Sequence, residues 1–287
     1  MNAQTIKLLA QDCGFSLCGI AKAEPLIAEK EWFEKALAQN FHDGKPYLER
    51  DVEKRFNPTM LLEGCRSVVV CGFNYYTGEK AESRKQKAEK ENAEECRDVA
   101  CYVPHYVQDP NFKTARYAQI EDYHIFMKEK LEMLARHLQE QYGNFNYKTT
   151  VDTSAISEKA WAVRAGVGYY GKNGVLQTTI GSFIFLGLLL IDKEVDQYDE
   201  PNRKTCGNCN KCITACPTQA LVNPYYVDCT QCISHINLNK KETDFLRIAQ
   251  YGWIKGCDVC QEVCPNNLHV PVNPDAVAIK KNIFLRP

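Results

Sequence analysis

The sequence predicts an α/β (α+β) fold for residues 1–200 and a smaller cysteine-rich domain for residues 201–287. Two observations support this division. Helical and strand patterns alternate along the first two hundred residues, and eight of the fifteen cysteines form a spaced pattern beyond them. The polar segment IDKEVDQYDEPNRK joins the two parts, so we place the boundary near residue 200.

The first elements follow from short-range patterns. Residues 4–13 predict a short helix, residues 16–20 a strand and residues 26–40 an amphipathic helix. Residues 67–76 form a continuous β-prone run, which is typical of a strand covered on both faces. Residues 78–98 are dense in Lys and Glu, which favours a solvated loop or a short exposed helix.

The clearest predicted helix runs from Ile120 to Tyr142, where apolar residues recur every three or four positions and Gly143 supplies a stop. A strand is predicted next at residues 147–151, and a helix at about residues 156–164. Two further strands complete the domain, near residues 175–179 and 182–191.

Asp152 lies at the junction between a predicted strand and the helix that follows it. Such junctions, at the carboxyl ends of strands, are where open α/β sheets place ligands. An Asp at this position would also serve simply as a helix N-cap. From the residues alone, capping is the favoured interpretation.

The glycines from Gly166 to Gly171 match the dinucleotide-binding spacing G-x-G-x-x-G. In a Rossmann unit this motif follows a strand and opens a helix, whereas here the glycines close a predicted helix. We therefore expect a helix C-cap, followed by a loop that lets the backbone approach a ligand, rather than an NAD site.

The cysteine pattern indicates two iron–sulfur clusters. It reads Cys206-x-x-Cys209-x-x-Cys212-x-x-x-Cys216-Pro, then Cys232, then Cys257-x-x-Cys260-x-x-x-Cys264-Pro. In bacterial ferredoxins three closely spaced thiolates bind one cluster, and the cysteine before proline binds the other. The pattern thus predicts a ferredoxin-like domain with two [4Fe–4S] clusters, one held by Cys206, Cys209, Cys212 and Cys264, the other by Cys216, Cys232, Cys257 and Cys260. Cys229 competes with Cys232 for the eighth position.

Zinc and disulfide bonds are the alternatives for these cysteines. A run of three ligands closed by Cys-Pro suits a single tetrahedral ion poorly. The chain opens MNAQTIKLLAQDCG, without an apolar signal core, so we expect a reduced, cytoplasmic protein in which disulfides are disfavoured. We assign no chemistry to the other seven cysteines: Cys13, Cys18, Cys65, Cys71, Cys96, Cys101 and Cys229.

The bulk composition is that of an ordinary globular protein, with 287 residues, 45% hydrophobic and 25% charged. The net charge of −1 provides no overall basic field, so a nucleic-acid partner would need a local patch of Lys and Arg. The longest apolar stretch, residues 183–191, is far shorter than the roughly 20 residues that cross a bilayer. We predict no membrane span.

Three groups of segments carry a resemblance to a known family. They are Ala115-Arg-Tyr-Ala with Asp122-Tyr-His124; Val151-Asp-Thr with Glu158-Lys-Ala, Arg164-Ala-Gly-Val-Gly and Gly171-Lys-Asn173; and the cysteine pattern with Cys232-Ile-Ser and Gly256-Cys-Asp-Val-Cys-Gln. Together they resemble the cobalamin-dependent epoxyqueuosine reductases, which complete queuosine synthesis on tRNA. The resemblance extends from about residue 5 to about residue 270.

The resemblance implies a corrinoid-binding N-terminal domain related to reductive dehalogenases, with one cluster relaying electrons to the cobalt of cobalamin. It implies Asp152 as the proton donor, enclosed between corrin and substrate, and this changes the interpretation of Asp152 from capping to catalysis. It favours Cys232 over Cys229, because the family's eighth ligand resembles the cysteine of Cys-Ile-Ser. It also implies four corrin neighbours: Arg55, Leu176, Ser234 and Asp258.

His124 is not expected to bind cobalt. The chain begins the string Asp-x-His-x-x-Gly of histidine-ligated corrinoid proteins at Asp122, but Met127 stands where glycine is needed. We interpret His124 as packing on a helix face.

The expected activity is reduction of epoxyqueuosine to queuosine in tRNA by a monomer that takes electrons from a flavodoxin- or ferredoxin-type donor. Three departures from the family bear on tRNA binding. The chain ends at Pro287, where many members continue into a helical-repeat extension, Ile120-Glu stands where the family tends to have Gly-Arg, and the segment 78–113 is long. The alternatives are a related corrinoid iron–sulfur reductase acting on a small molecule, and a pure electron carrier, which rarely needs two hundred residues before its clusters.

Overall fold

The computed structural model describes residues 1–78, 113–152, 154–222, 224–239 and 250–280. The Lys/Glu-rich segment, beyond Gly78, lies outside the described residues. The strands are β1 (Leu17–Lys22), β2 (Ser67–Asn74), β3 (Lys113–Thr114), β4 (Tyr147–Thr150), β5 (Gly168–Tyr170), β6 (Leu176–Thr178), β7 (Ile184–Ile191) and β8 (Trp253–Lys255). The α-helices are α1 (Ala3–Asp12), α2 (Ile27–Ala38), α3 (Pro46–Glu49), α4 (Val52–Phe56), α5 (Tyr123–Tyr142), α6 (Glu158–Arg164), α7 (Lys211–Ala215), α8 (Ile233–Asn239), α9 (Val259–Glu262) and α10 (Pro274–Ala278).

An antiparallel sheet in the order β1-β2-β7-β4 forms the centre of the N-terminal part. All eight residues of β2 are buried. Its side chains alternate between two layers, as strand geometry requires. Val69 and Phe73 pack in one layer with α1 and α5, and Val68 and Val70 pack in the other with Trp161 of α6. The predicted strand covered on both faces is confirmed, and so is the mixed α/β class.

Helix α5 begins three residues later than predicted. Asp122 caps it, because its side chain accepts a hydrogen bond from the N–H of His124 at 3.1 Å. Its end at Gly143 is as predicted: this residue has φ of 76°, and its N–H donates to the carbonyl of Gln139 at 2.9 Å.

The glycines that match the dinucleotide spacing close α6 and open β5. Gly166 has φ of 71°, and its N–H donates to the carbonyl of Val163 at 3.1 Å. The predicted helix C-cap is therefore confirmed. The strand pair β5 and β6 that follows is a short antiparallel hairpin, and its turn reaches the cysteine-rich part of the chain.

Several contacts join the cysteine-rich part to the sheet part. Strand β3 pairs in parallel with β8. Ala115 packs against Ile233, Ile236 and Trp253 in a small separate core. In the parts of the chain that the structure describes, no helix is both long enough and apolar enough to cross a bilayer.

Candidate functional site

Asp152 lies directly after β4 in a left-handed backbone conformation, with φ of 51°. Non-glycine residues adopt this conformation uncommonly, and it is often found at functional sites. Its backbone N–H donates a hydrogen bond of 2.7 Å to Oε1 of Glu158, the first residue of α6. The side chain is 64% exposed, so the carboxylate faces outward from the loop. Its enclosure by corrin and substrate stays a prediction.

Two side chains from the start of α5 hold the Asp152 carboxylate. The hydroxyl of Tyr123 donates to Oδ2 at 2.8 Å, and Nε2 of His124 lies 3.2 Å from the same oxygen. Nδ1 of His124 lies 2.7 Å from Oδ1 of Asp122. His124 thus bridges two carboxylates.

The interpretation of His124 as helix-face packing is wrong. Because α5 begins at Tyr123, His124 lies in the first helical turn and its ring turns towards Asp152 instead of the helix face. Burial lowers the pKa of this imidazole, but the hydrogen bonds and charges of Asp122 and Asp152 outweigh that effect and leave the pKa raised above 6.5.

Glu158 is a second acid beneath the Asp152 loop. Burial raises the pKa of its carboxyl to about 7, and the charge of Asp152 adds to the rise. The next residue, Lys159, donates from its Nζ to the carbonyl of Gly174 at 2.7 Å. The loop therefore combines an exposed carboxylate with a partly buried carboxyl group whose pKa is near neutral.

The predicted corrin neighbour Arg55 lies beside this loop. Its carbonyl accepts a hydrogen bond of 3.0 Å from the N–H of Ser157, and its Nη2 donates to the carbonyl of Tyr47. Burial raises the pKa of Tyr47, the charge of Asp152 adds to the rise, and the charge of Arg55 opposes it. Within the described residues, Nε of Arg55 is buried without a hydrogen-bond partner.

The other predicted corrin neighbours have different surroundings. Leu176 is 4% exposed and belongs to the core layer that contains Trp161. Ser234 lies at the start of α8, where its N–H donates to the thiol of Cys232. Asp258 is 1% exposed, and its Oδ2 accepts from the backbone N–H and Nη1 of Arg116, at 2.8 and 3.1 Å.

The first predicted set of cluster ligands is grouped in the structure. Burial raises the pKa of Cys212, and the thiols of Cys206 and Cys264 raise it further. The pKa of Cys264 is raised by burial and then by Cys206 and Cys209. These four thiols are therefore near neighbours, although Cys264 is 52 residues or more from the others in sequence.

The second set is grouped in the same way. Burial raises the pKa of Cys257 to about 12, with contributions from Cys232 and Cys216. The pKa of Cys260 is raised by burial and by Cys257, Cys232 and Cys216. Cys212 of the first set also contributes at Cys260, so the two groups are adjacent.

Among the predicted cluster ligands, only Cys232 influences the pKa of Cys229. Within the described residues, the other neighbours of Cys229 that shift this pKa are not cysteines. Burial raises its pKa to about 11, Cys232 and the acid Asp43 add to the rise, and Lys159 opposes it. Its N–H donates to the carbonyl of Phe41 at 3.0 Å. These contacts place Cys229 near the segment that follows α2 and near the start of α6.

The grouping of the cysteines is not that of a site for a single metal ion. Within the described ranges, no three His, Cys, Asp or Glu side chains lie close enough together to hold a single metal ion. A [4Fe–4S] cluster does not require such a group, because each of its four thiolates binds a different iron.

Sequence reasoning missed the roles of Tyr123, Glu158 and Lys172. The first two form the surroundings of Asp152, and Lys172 lies against the first cysteine loop. A partial signal was available, since all three belong to segments of the family resemblance. The sequence did not show which of these side chains meet in space, because Tyr123 lies 29 residues from Asp152 in sequence.

Two family models match the chain. The first is described as epoxyqueuosine reductase QueG, DUF1730, and matches residues 55–153. The second is a 4Fe-4S double cluster binding domain and matches residues 205–267. The second match includes all eight predicted cluster cysteines.

Curated relatives match nearly the whole chain. The epoxyqueuosine reductase of Cyclobacterium marinum is 36% identical over 270 residues, which is 93% of this chain and 79% of the relative. That of Leadbetterella byssophila is 35% identical over 268 residues, which is 92% of this chain and 80% of the relative.

Solved structures show the same likeness. A crystal structure of epoxyqueuosine reductase with an epoxyqueuosine-modified tRNA-Tyr stem loop superposes with a TM-score of 0.76 and 28% identity, covering 96% of this chain and 70% of that one. A reductive dehalogenase, whose structure addresses B12-dependent dehalogenation, superposes with a TM-score of 0.50 and 14% identity over 96% of this chain and 35% of that one. The second likeness concerns the fold alone.

Proposed function

Because the chain belongs to the epoxyqueuosine reductase family, we propose that it reduces the epoxide of epoxyqueuosine in tRNA to the alkene of queuosine. One observation connects this function with particular residues. Tyr123 and His124 hold the Asp152 carboxylate beside a double-cluster domain. Removing an epoxide oxygen as water consumes two electrons and two protons. The site must therefore supply both.

The electrons enter through the cysteine-rich part, which is a double-cluster domain for two [4Fe–4S] clusters. The donor set fits the proposal, because two groups of four thiols are adjacent. We assign one cluster to Cys206, Cys209, Cys212 and Cys264, and the other to Cys216, Cys232, Cys257 and Cys260. A flavodoxin- or ferredoxin-type protein would be the electron donor.

Cobalamin is the proposed second cofactor, and it would supply a strong reductant directly at the substrate. Two buried polar atoms support a ligand close to the Asp152 loop and the cluster domain. Within the described residues, Nε of Arg55 and Oδ1 of Asp258 have no hydrogen-bond partner. Buried polar atoms in native proteins are seldom left without one, so both are available to polar substituents of a corrin. The chain also shares its fold with a reductive dehalogenase whose structure addresses B12-dependent dehalogenation.

Asp152 would protonate the departing epoxide oxygen. Its Oδ2 accepts from Tyr123 and His124, while Oδ1 carries no hydrogen bond within the described residues. Oδ1 is therefore the atom that can hold a proton for the substrate. The raised pKa of His124 keeps its imidazole cationic over a wider pH range, so that it can return a proton to the Asp152 carboxylate after each turnover. Glu158 fixes the position of the loop through the N–H of Asp152.

The experiment is turnover by protein reconstituted anaerobically with iron, sulfide and cobalamin. A strong reductant and tRNA that carries epoxyqueuosine are added, and the nucleosides are analysed by mass spectrometry. The expected result is loss of the epoxide oxygen and appearance of queuosine. Cobalamin binding without turnover on this tRNA would contradict the proposed substrate, and an unchanged cobalamin spectrum on mixing would contradict the proposed cofactor.

A further inference from the structure

The turn between β5 and β6 inserts Lys172 against the cluster domain. Gly171 precedes it, and a Cβ added there would lie 2.6 Å from Oδ1 of Asn173 and 2.9 Å from the carbonyl of Val175. The tight turn therefore requires glycine at this position. It directs the lysine side chain out of the hairpin and towards the first cysteine loop.

Lys172 is 9% exposed, and its ammonium is bound by neutral oxygens. Nζ donates to the carbonyl of Gly207 at 2.7 Å and to Oδ1 of Asn210 at 2.8 Å. Gly207 directly follows Cys206, and Asn210 directly follows Cys209. No carboxylate forms an ion pair with this ammonium within the described residues.

The hairpin of β5 and β6 contacts both groups of cysteines. Of the hairpin side chains that make these contacts, only Lys172 is charged. Nδ2 of Asn173 lies 3.5 Å from the carbonyl of Cys260, and Oε1 of Gln177 lies 3.5 Å from the thiol of Cys264. These two amides can position the cysteine segments. They add no net charge.

We propose that Lys172 raises the reduction potential of the [4Fe–4S] cluster bound by Cys206, Cys209, Cys212 and Cys264. One-electron reduction makes a cluster more negative, and net charge near the cluster is one determinant of its potential. A buried cation without a counter-charge stabilises the reduced form more than the oxidised form. The inference rests on the proposed ligand set and is independent of the substrate.

The test is a potentiometric titration followed by EPR on the protein with both clusters. We expect Lys172→Gln to lower one of the two potentials, so that the ratio of reduced to oxidised cluster at a given potential falls roughly tenfold, which is about 59 mV for one electron. Lys172→Arg keeps the charge and should leave both potentials near their original values. Iron analysis of each variant tests separately whether both clusters are retained, because an intact pair contains eight irons per chain.

Lys211 is the matched control. It lies between Cys209 and Cys212 in the same loop but is exposed, so water screens its charge and Lys211→Gln should shift neither potential by a comparable amount. If Lys172→Gln loses iron, Asn210→Asp tests the same electrostatics by placing a carboxylate beside the ammonium, and it should also lower one potential. The proposal would be overturned if both potentials were unchanged in Lys172→Gln or Asn210→Asp protein that retains its iron. It would also be overturned if Lys211→Gln shifted a potential as much as Lys172→Gln does.

Discussion

The backbone N–H of Asp152 donates a hydrogen bond of 2.7 Å to Oε1 of Glu158, which lies six residues later at the start of α6. This bond closes the loop between β4 and α6 and holds Asp152 in its left-handed conformation. The partly buried carboxyl group of Glu158 thereby fixes the backbone that carries the exposed Asp152 carboxylate. Tyr123 and His124 hold it from the side.

Asp152→Asn should abolish turnover without loss of cofactors. The amide cannot supply a carboxylic proton, and general acid catalysis typically contributes about 10²–10⁴-fold to a rate. Single-turnover conversion of epoxyqueuosine in tRNA, followed by nucleoside mass spectrometry, should therefore slow at least about a hundredfold. Asp12→Asn, at an exposed position at the end of α1, is the control and should convert substrate normally. Activity retained in Asp152→Asn would show that the acid lies elsewhere.

Glu158→Gln should change how stability depends on pH. An unfolded Glu loses its proton near pH 4.5 and the folded Glu158 near pH 7, so between these values the folded state binds more protons. The free energy of unfolding therefore falls by roughly 3 kcal/mol as the pH rises through this window, and the loss persists above it. Gln cannot ionise and removes this dependence.

The comparison is made by thermal unfolding of parent and variant at pH 5 and pH 8. The midpoint of Glu158→Gln, relative to the parent, should rise by roughly 6–12 °C between the two pH values. Glu31→Gln changes an exposed glutamate of α2 and should show no such trend. A constant difference between Glu158→Gln and the parent would mean that Glu158 is already ionised at pH 5.

His124 should titrate above pH 6.5 because of its two carboxylate neighbours. Imidazole NMR should show the pKa of His124 lowered by either Asp122→Asn or Asp152→Asn. The stabilisation from these contacts is present below pH 6.5 and is lost as the pH rises through the raised pKa. The resonances of exposed His269 provide the control, since both substitutions should leave them unchanged. If neither variant moves the titration of His124, the bridge between the carboxylates does not exist in solution.

Cys232→Ala should remove about half of the iron, whereas Cys229→Ala should retain all of it. Cys257 and Cys260 have Cys232 among their titratable neighbours, while Cys229 lies near Lys159 and Asp43. Iron and sulfide are measured on anaerobically purified protein. Equal loss of iron in the two variants would contradict the choice of Cys232 as the eighth ligand.

Arg116→Met should destabilise the protein by about 3–5 kcal/mol, because it leaves the carboxylate of Asp258 buried without its cation. The side chains of Arg116 and Asp258 are 7% and 1% exposed, so water cannot replace the lost partner. Arg66→Met, at an exposed position, should change stability by less than about 0.5 kcal/mol. Chemical unfolding of both variants provides the measurement, and equal stabilities would refute a structural role for the pair.

The sequence predicted the elements whose patterns are local. The buried run of β2, the end of α5 at Gly143 and the closure of α6 at Gly166 follow from apolar periodicity and glycine conformation. The start of α5 was predicted three residues too early, because Ile120 continues the apolar spacing although Asp122 caps the helix. The wrong interpretation of His124 has another source, because it rested on Met127 standing where the cobalt-binding string needs glycine.

Spacing predicted seven of the eight cluster cysteines and their division into two sets, because a cubane imposes its geometry on short loops. The family resemblance favoured Cys232 over Cys229 as the eighth ligand. The family resemblance identified Asp152. Tertiary structure decided the rest: it brought Tyr123, His124 and Glu158 to one carboxylate and Lys172 to the first cysteine loop. These contacts join residues on different elements, and no local periodicity encodes them, since they depend on how helices and strands pack around a common sheet.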